Sequence, residues 1–238
     1  MTTTEAPSAG GARAAYALNA AVAAGGVLLT LAVSVAGAYE GGPPPEPGVY
    51  GLRHPDGLAG AWSRGADTLS YFTIWSNAVV AIALGLLAWR PSRSGPVVRV
   101  LRLDSVLMIT ITALVYAVLL APTDVVTGWS RLTNPWLHML TPALTVLVWL
   151  AYGPRGWITR RTLVAALTIP VAWIVWMLVR GTVIGAYPYA FLNVAEHGYA
   201  AVLATLAQIL VLGLAIGAAY GGLDALLRRR APARVPAP

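Results

Sequence analysis

Six stretches of the chain are almost continuously apolar, at about 15–38, 67–89, 100–122, 134–152, 162–180 and 199–224. Each approaches the roughly 20 residues that carry an α-helix across the hydrocarbon of a bilayer. A helix is the only open-chain structure that satisfies its own backbone in lipid. The pattern therefore predicts an all-α fold, a membrane bundle of six transmembrane helices. The connections are short and rich in Pro, Gly and Arg. The longest, 39–66, carries Gly41-Gly42-Pro43-Pro44-Pro45-Glu46-Pro47 and is expected to be a stiff, extended surface loop. Residues 1–14 are expected to be a disordered tail, 15–225 the membrane domain, and 226–238 an Arg/Pro-rich tail. No internal repeat is visible, so an inverted-repeat transporter gains no support.

Composition agrees with that class. Of 238 residues, 58% are hydrophobic and 11% charged, whereas a soluble domain carries about 25% charged residues. Disorder needs the opposite balance, low hydrophobicity with high charge. The absence of cysteine removes disulfides, thiolate metal sites and a cysteine nucleophile. All 16 basic residues are arginine, and their placement is uneven. Twelve lie in the N-terminal segment, the second and fourth loops and the C-terminal segment; only Arg53, Arg64, Arg131 and Arg180 lie in the alternate loops. The positive-inside rule then puts both termini in the cytoplasm. The net charge of +7 is read as a topology signal and calls for no nucleic-acid partner. Ala36-Gly37-Ala38 resembles a leader-cleavage site, but the apolar run before it exceeds the about 7–15 residues of a signal core. An uncleaved first span is expected.

Polar residues inside spans are costly and tend to mark function. Thr73, Ser76 and Asn77 fall at i, i+3 and i+4 and share one helix face, with Asp67 ahead of them as the expected N-cap. Asn134, His138, Thr141 and Thr145 draw one stripe along the fourth span. Asn134-Pro135 has the form of a helix start, and Pro142 cannot donate an amide hydrogen to the carbonyl of His138. Asn193, Glu196 and His197 repeat the i, i+3, i+4 spacing before the sixth span. Spans 2, 4 and 6 would all start from the outer face. At 1.5 Å per residue, Thr73 and His138 would lie roughly 6–9 Å below it. A shared polar pocket in the outer half is the expected consequence. Asp104 beside Arg99 and Arg102 is expected to form a charge pair. Gly213, Gly217 and Gly221 form overlapping GxxxG patterns that suit close helix packing. Trp62, Trp89, Trp129, Trp136, Trp157, Tyr187 and Tyr189 fit an interfacial aromatic belt.

Three motifs occur in order. Tyr71-Phe72-Thr73-Ile74-Trp75-Ser76-Asn77 resembles the threonine motif of the androgen-induced gene one family of six-span membrane proteins. Asn134-Pro135-Trp136-Leu137-His138, followed by Thr141-Pro142, is similar to that family's Asn-x-x-x-His motif. Tyr187-Pro188-Tyr189-Ala190-Phe191-Leu192 resembles its Tyr-Pro-Phe-Leu segment. The likeness covers about residues 15–225 and points to a bacterial branch, hence to a bacterial plasma membrane. Animal members are threonine hydrolases that cleave fatty acid esters of hydroxy fatty acids. The resemblance implies Thr73 as nucleophile and His138 as general base.

A threonine hydroxyl is a weak nucleophile until a base accepts its proton, and imidazole suits that role near neutral pH. Asn77, Asn134 or Glu196 remain open as the group that orients the ring or donates to an oxyanion. The expected supporting pocket is thus Ser76, Asn77, Asn134, Thr141, Asn193, Glu196 and His197. The expected partners are membrane lipids and an acyl-ester substrate, with no cofactor, no metal and the oligomeric state open. Two other readings stand beside this one. The same residues could serve as interhelical hydrogen bonds in a non-catalytic lipid-binding or assembly protein. Alternatively, His138 and His197 could ligate one haem.

Overall fold

The computed structural model of the protein describes residues 9–39, 46–51 and 54–230. Seven helical elements follow in order: α1 (Ala9–Ala36), α2 (Gly57–Thr68), α3 (Phe72–Trp89), α4 (Pro96–Leu120), α5 (Ser130–Tyr152), α6 (Arg160–Ile184) and α7 (Val194–Arg230). All but α2 are long and apolar enough to cross a membrane. The chain is an integral, multi-pass membrane protein.

Small residues decide how closely these helices approach. A Cβ on Gly26 of α1 would lie 3.0 Å from the side chains of both Trp136 and Leu137 of α5. The Trp136 indole closes that contact by donating to the carbonyl of Val22 (2.9 Å). Tyr16 and Ala23 of α1 are buried against Val80, Leu84 and Leu87 of α3, so the first span is part of the core. Ser76 of α3 and Thr112 of α4 exchange a buried hydroxyl contact of 2.8 Å. The glycine stripe of α7 faces Ile111 through Gly213, Leu163 through Gly217 and Ile158 through Gly221. It is a packing surface.

Several expectations change. Residues 9–14 belong to α1 and 226–230 to α7; the remainder of both tails, together with Arg53, Arg234 and 40–45 of the long loop, lies outside the described residues. The 39–66 connection is not extended throughout, because α2 occupies its second half. Asp67 therefore does not cap the second span. It sits in the last turn of α2, and Tyr71 is the N-cap of α3. Asp67 instead takes Arg180 of α6 at 2.6 Å and His54 at 3.4 Å. At the opposite end of the bundle, Asp104 makes no ion pair with Arg99 or Arg102 among the described residues. Arg102 turns toward the Tyr16 ring and the Ser105 hydroxyl, while Arg99 lies over Trp157 and bonds the carbonyl of Ser94.

Asn134-Pro135 is not a helix start either: α5 begins at Ser130 and runs through it. The turn Trp136–Leu140 is a wide π turn between Pro135 and Pro142. Such turns are frequent at functional sites. Pro142 offers no N–H to the His138 carbonyl one α-turn back, so an ordinary helical turn could not be completed there. His138 projects from this irregular turn.

Candidate active site

Thr73 is the second residue of α3 and nearly buried, with 7% of its surface exposed. Its Oγ1 lies 3.1 Å from Nε2 of His138. The other ring nitrogen, Nδ1, stands 3.0 Å from both the main-chain carbonyl and the side-chain oxygen of Asn134. Both are acceptors, so Nδ1 carries the proton and Nε2 presents its lone pair to Thr73. Asn134 is fixed in turn by Asp124, because its Nδ2 donates to Oδ2 of that carboxylate. An ionised carboxylate only accepts, so the amide nitrogen must face it and the amide oxygen must face the imidazole. The Tyr116 ring stacks on His138 with centroids 4.1 Å apart and a 21° tilt. It also donates weakly to Asp124 at 3.4 Å. The imidazole is held in position, orientation and tautomer.

Behind this pair, Asn77 is fully buried and joins the two helices. Its Nδ2 donates to the carbonyl of Thr73 (2.8 Å) and to that of Leu137 (3.3 Å). Ser76 also donates to the Thr73 carbonyl at 2.9 Å. Neither residue lines a cavity; both support the turn that carries Thr73.

Two cavities meet at Thr73. One is an open polar vestibule of about 920 Å³, with His138, Asn134, Asp124, Tyr116, Arg64 and Asp67 on its walls. The other is a narrow apolar cleft bounded by α3, α4, α6 and α7, with Leu107, Ile111, Trp173, Ile174, Leu206 and Leu210 among its walls. Three residues line both: Thr73, Leu120 and Tyr189. The seam between a vestibule with polar walls and a hydrocarbon-like cleft is thus marked by a hydroxyl already bonded to a base.

The remaining expected site residues are placed elsewhere. Thr141 is fully buried with no hydrogen-bond partner for its hydroxyl among the described residues, and Thr145 bonds Asn19 of α1. The lower half of the α5 stripe therefore packs helices together. Asn193 caps α7 by accepting from the amide of Ala195, and it clamps the α1–α2 connection by donating to the carbonyl of Pro47. Glu196 and His197 are exposed and line neither cavity. Gly198 has φ +73° and ψ 159°, so the first turn of α7 does not continue the face of the rest. The bis-histidine pair is not assembled, since both nitrogens of His138 are engaged and His197 faces outward. Among the described residues, no group of three His, Asp or Glu side chains is placed to hold a metal ion. Tyr187 and Tyr189 are not belt residues: Tyr187 is 4% exposed and Tyr189 is part of the seam. Asp124, Tyr116 and Tyr189 are the site residues that sequence patterning missed or misplaced.

No protein-family model, no curated protein and no solved structure matches the chain.

Proposed function

We propose that this chain is a membrane lipid-ester hydrolase, or an acyl-transfer enzyme of the same chemistry, as its resemblance to the androgen-induced gene one family suggests. The site end of the bundle faces the outer side of a bacterial plasma membrane, with both termini in the cytoplasm. The observation that carries the reading is the 3.1 Å Thr73–His138 contact at the seam of the two cavities. An acyl ester divides in the same way, with its hydrocarbon in the apolar cleft, its carbonyl at Thr73 and its alcohol side in the vestibule.

The chemistry then follows from the groups present. Thr73 Oγ1 bonds to the carbonyl carbon, its proton passes to His138 Nε2, and the carbonyl π pair moves onto oxygen. Reclosure of the carbonyl expels the alcohol oxygen, which takes the proton from the imidazolium. Water from the vestibule repeats the sequence on the acyl-threonine and releases the fatty acid. The Asn134 acceptors steady Nδ1–H while the ring is charged. A non-catalytic protein would use the same residues only as helix contacts. Reaction with a fluorophosphonate separates the two: wild type labels and Thr73→Val does not. A wild-type protein that stays unlabelled while folded overturns the hydrolase reading.

A further inference from the structure

Attack by Thr73 creates a negative oxygen, and an ester hydrolase needs donors aimed at it. The seam holds one candidate besides the nucleophile. Among the described residues, Thr73, Leu120 and Tyr189 alone line both cavities, and only two of them carry a hydroxyl. The Tyr189 hydroxyl interacts with the Thr73 side chain and with the backbone amides of Phe72 and Thr73. Those amides open α3, where the first N–H groups have no partner within the helix. Amides only donate, so they occupy lone pairs of the phenol oxygen and leave its own proton free. Thr73, in turn, gives its proton to His138. The direction of the chain is therefore set: amide to Tyr189, Tyr189 to Thr73 Oγ1, Thr73 to imidazole.

We infer that Tyr189 is a catalytic oxyanion donor, its O–H passing from Thr73 Oγ1 in the resting enzyme to the substrate's carbonyl oxygen during attack. This role rests on the hydrolase reading. When Thr73 Oγ1 becomes bonded to carbon, it loses its value as an acceptor, while the adjacent oxygen gains a full charge. The hydrogen bond is stronger in the transition state than before it, which is the condition for raising kcat. No proton is transferred from Tyr189, and the electron balance of the acyl transfer is unchanged.

The ring is held for this task. Phe191 stacks on it (5.3 Å, 10°), Tyr71 meets it edge-on (5.6 Å, 68°) and Trp173 lies 6.4 Å away. The backbone just before it is pinned to the α1–α2 connection, where Tyr50 N–H donates to the Tyr187 carbonyl (2.9 Å) and Tyr187 N–H to that of Gly48 (2.8 Å). Burial pushes the phenol up to about 12, against the opposing effect of its contacts with Thr73 and the two amides. It stays a protonated donor through the neutral range.

The test uses full-length protein in detergent micelles, a fluorophosphonate probe and the p-nitrophenyl ester of a medium-chain fatty acid. Tyr189→Phe keeps the ring and its packing and removes only the hydroxyl. Its kcat and labelling rate are expected to fall about 10²–10³-fold, with KM and melting temperature close to wild type. The ratio to wild type should be flat from about pH 6 to 9, because the phenol does not titrate there. Tyr199→Phe makes the same change on an exposed tyrosine that lines neither cavity, and it should leave turnover near normal. Equal labelling of wild type and Tyr189→Phe overturns the donor role alone, as does an equal loss in Tyr199→Phe. A folded wild-type protein that neither labels nor hydrolyses overturns the hydrolase reading and this role together.

Discussion

Replacing Asn77 by leucine keeps the branching and heavy-atom count of the side chain and removes its hydrogen bonds. Asn77 is fully buried and its Nδ2 joins the carbonyl of Thr73 to that of Leu137, one residue before the base. Two bonds are lost, one to Leu137 across helices and one to Thr73 within α3. A hydrogen bond between membrane helices averages about 0.6 kcal/mol, and with the local bond taken at the same size the sum is about 1.2 kcal/mol. The Thr73 carbonyl keeps the Ser76 hydroxyl at 2.9 Å, whereas the Leu137 carbonyl loses this donor. Asn77 Oδ1 has no partner among the described residues, so its removal offsets part of the loss. The net destabilisation is therefore about 1 kcal/mol, a fall of about 2–4 °C in melting temperature for a chain of this size. Activity should suffer more. A displacement of about 1 Å between nucleophile and base costs about 10²-fold in rate, and among the described residues Asn77 is the only side chain that donates to both turns at once. Ester turnover and thermal unfolding on the same micellar preparation measure both numbers. A kcat within about twofold of wild type, with the expected small loss of stability, would refute the claim that Asn77 sets the Thr73–His138 distance.

Thr73→Ser should retain part of the turnover, since the hydroxyl survives, while Thr73→Val and His138→Ala should each abolish it. The double variant should be little worse than either single, because the two groups act as a unit. Arg180→Met leaves the carboxylate of Asp67, 8% exposed, with the His54 contact alone among the described residues. Breaking such a buried pair costs about 3–5 kcal/mol, and Asp67→Leu in the same chain should recover much of it in thermal unfolding. Reporter fusions after residue 65 and after residue 95 should report outside and then inside; the same side for both would end the proposed orientation.

The six spans were legible because an apolar run of about 20 residues is a strong signal that needs no tertiary information. The Thr73, Ser76, Asn77 face was legible through helical periodicity, since all three lie on one short, regular stretch of α3. Failures have a common cause. The apolar run 67–89 hides the break at 69–71, which contains neither Gly nor Pro, so Asp67 was assigned to the wrong helix. What holds Asp67 is Arg180, 113 residues away. Glu196 and His197 share helical spacing with Asn193 ahead of the sixth span, but the positive φ of Gly198 turns that stretch out of register with the rest of α7. Asp124 and Tyr116 join the site from the α4–α5 connection and the last turn of α4. Their spacing from His138 carries no periodic signature, so only the fold brings them together. Asn134 was visible as a polar residue one turn from His138, but its role depends on the π turn and on Asp124.

The most direct test of the central claim is to find which atom reacts. Wild-type protein treated with a fluorophosphonate, digested and sequenced by tandem mass spectrometry should carry a single phosphonyl group on Thr73. The same treatment of His138→Ala should yield little adduct, because Oγ1 then lacks the base at 3.1 Å. A phosphonyl group on any other hydroxyl residue instead of Thr73, or undiminished labelling of Thr73→Val, would contradict the account.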